Sequence, residues 1–282
     1  MNISTGGHIF WLLRRNPVTA VAVAGTGAMI VMAIFAPWIV PYDPTATDMP
    51  SAFEPPSRQH WAGTDQLGRD ILSQLLSATR LDLAVAVSAV SVSCIIGTLV
   101  GGACGYAGGD LDKWIGRFVD VLMAFPLFVL AMALVAALGN SIENVVYATA
   151  IINLPFYIRF VRAEVNVRRN AGWVEAARLS GNSHPQILLG FLLPNILPAL
   201  SVQISLNLGW AILNCAGLSF IGLGVRPPTP EWGIMVAEGA NFITQGKWWL
   251  VAFPASALVF SVLCFNLLGD GLRDILDPRM RT

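Results

Sequence analysis

The sequence is poor in charge: only 12% of its 282 residues are Asp, Glu, Lys or Arg, whereas a typical soluble domain has about 25%. Hydrophobic residues make up 55%. The 17 basic and 17 acidic residues balance, so no excess of charge indicates a nucleic-acid partner. This composition argues against an ordinary soluble domain and predicts a protein embedded in a lipid bilayer.

Residues that bind metals or form disulfides are also few. The four cysteines lie in apolar stretches and form no CxxC pair, and the three histidines are widely separated in the sequence. These residues are Cys94, Cys104, Cys215, Cys264, His8, His60 and His184. We therefore expect the cysteines to serve packing, and we expect no metal site.

Signals for energy coupling within the chain are missing as well. No GxxxxGK[ST] phosphate loop is present, since Gly246-Lys247 is followed by Trp248. The longest apolar segments lack the Asp, Glu, Arg or His that ion-coupled carriers place at mid-membrane. We expect this chain to have no catalytic residue and no cofactor, and to receive its driving force from a separate subunit.

What the sequence does contain is six apolar segments whose length suits about 30 Å of hydrocarbon. Three are free of charge throughout and cover residues 18–40, 83–105 and 248–268. The others are 121–138, a stretch within 143–159, and 199–221. The last is placed after Pro185, Pro194 and Pro198, because proline interrupts helices. The sequence therefore predicts an all-α polytopic membrane protein with six transmembrane helices.

The distribution of basic residues predicts the orientation of these spans. Five of the 17, namely Arg58, Arg69, Arg80, Arg226 and Lys247, fall in segments 41–81 and 223–247, and the other 12 fall on the opposite side. By the positive-inside rule the richer side is cytoplasmic, so both termini are cytoplasmic in a bacterial inner membrane. We divide the chain into 1–80, with the first span and an extracytoplasmic loop, and 81–282, a transmembrane domain with five helices.

Glycines recur at every fourth position in and just beyond the second apolar segment. They are Gly97, Gly101, Gly105 and Gly109. Small residues at this spacing let the backbone of a neighbouring helix approach closely. We predict tight packing rather than a ligand site, against a helix that belongs either to this chain or to a partner.

The segment 159–195, predicted to be cytoplasmic, contains the motif with the most specific spacing. Glu175-Ala176-Ala177 is followed after three residues by Gly181, and Phe191 precedes Leu193-Pro194. The pattern resembles the EAA loop of ABC importer permeases, EAA-x3-G-x9-hydrophobic-x-LP. Small alanines allow close helix contact, Gly181 ends or bends a short helix, and Glu175 offers a charge to a partner. An ordinary amphipathic connector between two spans is the competing interpretation.

Further stretches, covering most of the chain, resemble the C-type permease subunit of dipeptide/oligopeptide importers. They are Tyr42-Asp43-Pro44, Pro55-Pro56-Ser57, His60-Trp61, Gly63-Thr64-Asp65, Gly68-Arg69-Asp70, Leu218-Ser219-Phe220, the run from Pro227 to Gly233 and the run from Asn266 to Asp274. The resemblance implies a homologous second permease subunit, two cytoplasmic ABC ATPases that bind ATP and Mg, and an extracytoplasmic solute-binding protein.

In such an importer, Glu175, Ala176, Ala177 and Gly181 would form the ATPase-coupling loop, and ATP hydrolysis would drive alternating access. The implied solute is a di- or oligopeptide. Related importers carry nickel complexes, opines or sugars, so a non-peptide solute is the main competing assignment. Two further functions compete with an importer subunit, a self-sufficient ion-coupled carrier and an intramembrane enzyme. Transport without the ATPases would support the carrier, and loss of turnover after one polar substitution in a span would support the enzyme.

Three amides in the fifth apolar segment are candidates for the translocation pathway. Gln203, Asn207 and Asn214 stand near positions i, i+4 and i+11 of a helix, where they form one polar stripe. Neutral amides could hydrogen-bond a passing peptide backbone. They could equally join two helices, and the sequence leaves both interpretations open.

Two loops on the predicted outer side are also candidate sites. Asp65, Arg69 and Asp70 could bind solute, contact the delivering protein, or pin their own loop through hydrogen bonds, which is our first interpretation. The proline-rich run that ends at Trp232 is predicted to be a rigid turn at the membrane interface, where tryptophan is common. A gate is the second interpretation of this turn.

Overall fold

The computed structural model describes residues 16–276, and this part of the chain is built from helices. In chain order the α-helices are α1 (Pro17–Ile39), α2 (Ile71–Ala107), α3 (Gly109–Ala124), α4 (Leu127–Leu138), α5 (Ile142–Arg168), α6 (Gly172–Leu179), α7 (His184–Ile187), α8 (Leu193–Phe220), α9 (Trp232–Ala240) and α10 (Trp249–Leu276). The predicted all-α class is confirmed. The two chain termini, whose orientation was predicted above, lie outside the described residues.

Five helical segments within residues 16–276 are long and apolar enough to cross a membrane. They are Pro17–Ile39, Ile71–Ala107, Ile142–Arg168, His184–Phe220 and Trp249–Ile275. Helices α3 and α4 pass the same test only together, and they meet at an angle of 90°. The prediction of six spans holds when this bent pair counts as one crossing.

The span predicted at 121–138 is not one straight helix. Phe125 is extended, with ψ 144°, and Pro126 follows it before α4 begins. A proline disfavours the helical conformation of the residue before it, which explains the break at this point. Because α4 has 12 residues, it extends only about 18 Å and cannot cross the hydrocarbon alone.

The helix that contains the predicted fifth span, 199–221, begins well before residue 199, at His184. Pro185 and Pro194 lie in the first turns of α7 and α8, where a missing N–H costs no helical hydrogen bond. Between them the chain forms a π-helical segment, Leu188–Leu192. A π turn widens the backbone locally, which helps the helix to continue past the second proline.

The glycine repeat packs α2 directly against α5 of the same chain. A Cβ on Gly101 would lie 2.5 Å from the backbone oxygen of Ile158, and a Cβ on Gly105 would lie 2.6 Å from that of Arg162. Gly97 faces Tyr157 in the same way. Gly109 differs, since a Cβ there would have no atom within 4 Å. The close contact therefore runs from Gly97 to Gly105, and its neighbour is α5.

Helix α5 has the lowest mean hydropathy among the five long segments, 1.3 over its most apolar 18 residues. It also has the largest share of those residues buried, 56%. It packs against α2, α4 and α8. A helix surrounded by protein needs fewer lipid-facing apolar residues, which explains why its sequence signal is weak.

The division proposed at residue 80 falls inside α2, which begins at Ile71.

Candidate functional site

The predicted coupling loop folds into the short helix α6 and a glycine cap. Gly181 has a φ of +82° and follows the C-cap residue Ser180. The N–H of Gly181 donates to the oxygen of Arg178 at 3.0 Å, and that of Asn182 donates to the oxygen of Ala177 at 3.3 Å. This is a Schellman motif, in which glycine is favoured because φ is positive. The prediction that Gly181 ends a short helix is confirmed.

The residues of the coupling motif divide between two faces of α6. Glu175, Ala176 and Gly181 are exposed, while Ala177 is buried with Val174 against the rest of the chain. Ala177 therefore holds α6 in place and does not form part of its open surface. Leu179, which sequence reasoning missed, is 90% exposed beside the motif. Its signal in the sequence is an apolar residue directly beside a motif that resembles a partner-binding loop.

Side chains of residues 169–184 attach this part of the chain to the C-terminal end of α2. Arg169 donates from Nη1 to the oxygen of Gly105 at 3.2 Å. The hydroxyl of Tyr106 lies 2.9 Å from Nδ1 of His184. The guanidinium of Arg178 lies 5.5 Å from the centre of the Tyr106 ring, within cation–π range. A displacement of α6 would therefore act directly on α2.

A cavity of about 520 Å³ lies between α4, α5 and α8. All three predicted pathway amides, Gln203, Asn207 and Asn214, line it. The remaining lining residues are mostly apolar or aromatic, with one further amide, and they are Pro126, Leu127, Phe128, Ile152, Asn153, Phe156, Leu206 and Trp210. This volume is within the usual range of small-ligand pockets, about 300–1,000 Å³.

The amide of Asn153 was missed at the sequence level. It belongs to α5, whose low hydropathy gives a weak signal for a span, and a polar residue in such a segment does not stand out in the sequence. Asn214 differs from it, because the Asn214 side chain donates to the oxygen of Trp210 in its own helix at 2.9 Å. The cavity thus contains amides from two helices in different hydrogen-bonding states.

The loop with Asp65, Arg69 and Asp70 is buried and internally hydrogen-bonded. Asp65 accepts hydrogen bonds from Arg69 Nε at 2.5 Å and from Gln74 Nε2 at 2.9 Å, as well as from two backbone N–H groups. Asp70 caps α2 by accepting from the N–H and hydroxyl of Ser73. This is the arrangement expected of loop pinning, and it leaves these side chains little freedom to hold a solute.

The same loop is linked to α9. Nη2 of Arg69 lies 3.2 Å from Oε2 of Glu238. Burial raises the pKa of the Glu238 carboxyl, and the charge of Arg69 opposes that rise. The indole N–H of Trp249 donates to the oxygen of Thr64 at 3.2 Å. The loop of residues 63–70, α9 and the start of α10 therefore form one packed unit.

The proline-rich turn leads into α9 through a buried N-cap. Glu231, 2% exposed, accepts from the N–H groups of Gly233 and Ile234 at 2.9 and 2.8 Å. Trp232 is buried as well, and its backbone N–H donates to Asp82 of α2 at 3.2 Å. Trp232 therefore packs inside the chain and fixes α9 to α2, so its side chain does not have the exposure expected of a tryptophan that faces lipid headgroups.

Comparison with known protein families agrees with this arrangement. The model of the family described as "Binding-protein-dependent transport system inner membrane component" matches residues 97–282. The model of the N-terminal TM domain of oligopeptide transport permease C matches residues 4–56. The first match alone covers more than half of the chain and includes α6 and the cavity-lining part of α8.

Curated relatives are similar over nearly the whole length. A probable D,D-dipeptide transport system permease protein of Escherichia coli is 41% identical over 97% of this chain and 92% of its own. A di/tripeptide transport system permease protein of Pseudomonas aeruginosa is 42% identical over 90% and 85%. A glutathione transport system permease protein of Escherichia coli is 43% identical over 99% and 92%. With α6 and the polar cavity in a bundle of membrane helices, these matches show that the chain belongs to the inner membrane components of binding-protein-dependent transport systems, as a multi-pass permease subunit.

Proposed function

We propose that this chain is the C-type permease subunit of an ABC importer that moves di- or oligopeptides into the cytoplasm. The observation that carries the proposal is α6, a short helix outside the spans whose residues Glu175 and Ala176 are exposed, while Arg169 and His184 on either side of it bond to α2. A homologous permease subunit would complete the pathway, two ATPases would bind ATP and Mg, and a solute-binding protein would deliver the solute. The chain itself would perform no covalent chemistry.

A series of helix contacts between α6 and the cavity supports this proposal. Helix α2 is 37 residues long and contacts α5 at backbone distance through Gly97, Gly101 and Gly105. Helix α5 in turn lines the cavity. Because such a close contact leaves little room for independent movement, a pull on the inner end of α2 would move α5 with it. That movement would change access to the cavity.

A peptide is the solute class that the chain supports best. The three relatives described above are named for D,D-dipeptides, di- and tripeptides, and glutathione. The cavity of this chain carries neutral amides that suit a peptide backbone. Identifying the small molecule that co-purifies with the cognate binding protein, or raises its Tm, would test the assignment. A nickel complex, an opine or a sugar in that role would replace it.

We propose an orientation with both termini in the cytoplasm, from the 12 to 5 distribution of basic residues. Reporter fusions at Ala62 should show an extracytoplasmic position, and fusions after Gly172 should show a cytoplasmic one. Alkaline phosphatase and a fluorescent reporter, active on opposite sides, provide the paired measurement. A cytoplasmic signal at Ala62 together with an external signal at Gly172 would invert the topology and remove α6 from the reach of the ATPases.

The pathway role of Gln203, Asn207 and Asn214 can be tested by cysteine labelling. In a protein whose four native cysteines are replaced, a cysteine at each position should react with a water-soluble thiol reagent and lose reactivity when solute is present. Leu213 is the matched control on α8, because it is 50% exposed on the surface of this chain and does not line the cavity. A cysteine there should face lipid or a partner and stay unlabelled. Protection of all three amide positions in every state would exclude the pathway role.

A further inference from the structure

Unsatisfied polar atoms are concentrated at the cavity between α4, α5 and α8. Within residues 16–276, four buried side-chain atoms lack a hydrogen-bond partner: Thr26 Oγ1, Asn153 Nδ2, Tyr157 Oη and Asn207 Nδ2. Asn153 and Asn207 both line the cavity, and Tyr157 is one turn from Asn153 on α5. Buried polar groups are normally paired, so such a cluster indicates that something outside the chain completes it.

The two asparagines are well placed to meet a ligand. Asn153 is 3% exposed and Asn207 is 5% exposed, and they reach the cavity from different helices. If these amides only joined α5 to α8, their N–H₂ groups would be bonded to each other or to the facing helix. The Nδ2 atom of Asn153 instead has no partner, and that of Asn207 makes no well-formed hydrogen bond, although its side chain lies beside the Tyr157 hydroxyl of α5. Both atoms are buried at the wall of the cavity, so each N–H₂ group becomes a donor to the cavity when its side chain turns toward an acceptor there.

The remaining lining residues restrict the chemistry of that acceptor. The described residues that line the cavity include no Asp, Glu, Lys, Arg or His. A charged group held there would lose its hydration without gaining a counter-charge, so the charged ends of a peptide would lie outside the cavity while its peptide bond lies inside. A neutral carbonyl oxygen, by contrast, is the ordinary partner of an amide N–H. Phe128, Phe156 and Trp210 supply apolar walls for the rest of the ligand.

We propose that Asn153 and Asn207 form a transit site that donates hydrogen bonds to the peptide-bond carbonyl of the solute. This inference rests on the proposed function, and it adds the contact through which the permease recognises its cargo. The site binds the backbone, which all peptides share, and it leaves side chains to the apolar walls. It therefore accepts peptides of different sequence while selecting for the amide group.

The test uses the complete transporter in proteoliposomes with its binding protein and a radiolabelled alanyl-alanine probe. Asn153→Leu and Asn207→Leu keep the approximate shape of the side chain and remove the donor. At saturating loaded binding protein, the maximal uptake rate should fall at least tenfold in each variant. The apparent KM, which the binding protein sets, should stay within twofold, as should the stimulated ATPase rate.

Thr26→Val is the matched control, because Thr26 Oγ1 is also buried without a hydrogen-bond partner, whereas Thr26 does not line the cavity. Its uptake rate should stay within threefold of wild type. A loss equal to that of Asn153→Leu would overturn the specific role of the free donors. Asn153→Ala and Asn207→Ala, which also remove the donor, serve where a leucine variant fails to assemble, and they should show the same loss of rate.

A second measurement needs no variant. Replacing the carbonyl oxygen of the probe with sulfur weakens it as an acceptor, so the wild-type transporter should move the thioamide at least fivefold more slowly at equal loading of the binding protein. The leucine variants should not distinguish the two probes. Equal rates for both probes in wild type would overturn the transit site while leaving the permease function intact. Failure of wild type to transport any of a set of dipeptides would instead overturn the peptide assignment, and the inference with it.

Discussion

Gly181→Asp is expected to abolish solute uptake while leaving the permease inserted and abundant. Within the chain nothing opposes a side chain at this position, because a Cβ on Gly181 would have no atom within 4 Å. The positive φ of +82° adds a conformational cost, about 1–2 kcal/mol for a typical residue and less for Asp or Asn, which tolerate this region. Any large effect on transport must therefore arise at a surface that binds Gly181 from outside.

The expected loss at that surface is large. A carboxylate pressed into a contact without a partner costs about 3–5 kcal/mol. Since about 1.4 kcal/mol corresponds to a tenfold change in affinity, the ATPase would bind at least a hundredfold more weakly. The measurements are solute uptake and the yield of ATPase that co-purifies with the permease from membranes. Uptake should be lost and the ATPase yield should fall, while solute remains bound to the binding protein.

Gly181→Asn is the matched control for Gly181→Asp. Asparagine has the same shape as aspartate and tolerates the same backbone region, so the two variants differ by one charge. Asn should retain a substantial part of uptake and of ATPase yield. Glu175→Ala, which removes an exposed charge without adding bulk, should have an intermediate effect. Normal uptake and normal ATPase yield in Gly181→Asp would show that the coupling segment is not the docking surface, and the mechanism proposed for α6 would fall.

The coupling segment also shows how much the sequence could predict. The spacing from Glu175 to Pro194 predicted a short helix and its glycine end, because those features depend on local residues. The sequence did not predict that Ala177 is buried or that Arg169 bonds to Gly105. Both depend on packing between residues far apart in the chain.

The membrane helices show the same limit. Hydropathy located each apolar region, since lipid imposes a minimum length on a spanning helix. It did not find the bend at Pro126 or the start of the helical segment His184–Phe220 at His184. Proline can either break a helix or occupy its first turn, and the outcome depends on whether the preceding residues supply a cap or a π turn. In this chain Pro126 breaks a helix, whereas Pro185 occupies the first turn of one.

The cavity was predicted only in part for a related reason. Helical spacing placed Gln203, Asn207 and Asn214 on one stripe, and the cavity contains all three. Asn153 comes from another helix, and no periodicity within a single segment relates it to them. The hydrogen bond from Asn214 to Trp210 also separates that residue from Asn207, although the sequence treats the two alike. A site between helices therefore requires the packing as well as the pattern.

Gly101→Val is expected to have a large effect on the stability of the chain. A Cβ at Gly101 would lie 2.5 Å from the backbone oxygen of Ile158 and 3.0 Å from its Cα. Backbone atoms cannot rotate away as a side chain can, so α2 and α5 would have to separate. Overpacking typically costs about 1–3 kcal/mol. A β-branched residue against backbone should lie at or above the upper end of that range, because the whole contact from Gly97 to Gly105 opens.

The measurements for Gly101→Val are the amount of permease in membranes and the Tm of the solubilised transporter. Gly27→Val is the matched control, since Gly27 also lies within a long apolar helix but a Cβ there would have no atom within 4 Å. The control should keep near wild-type abundance and Tm, while Gly101→Val should lose most of its assembled protein. Gly101→Ala should fall between them, because one methyl already meets the Ile158 oxygen. If Gly101→Val were as abundant and as stable as Gly27→Val, the backbone contact between α2 and α5 would be refuted. The route by which movement of α6 reaches the cavity would then need a different second step, because it depends on α2 and α5 moving together.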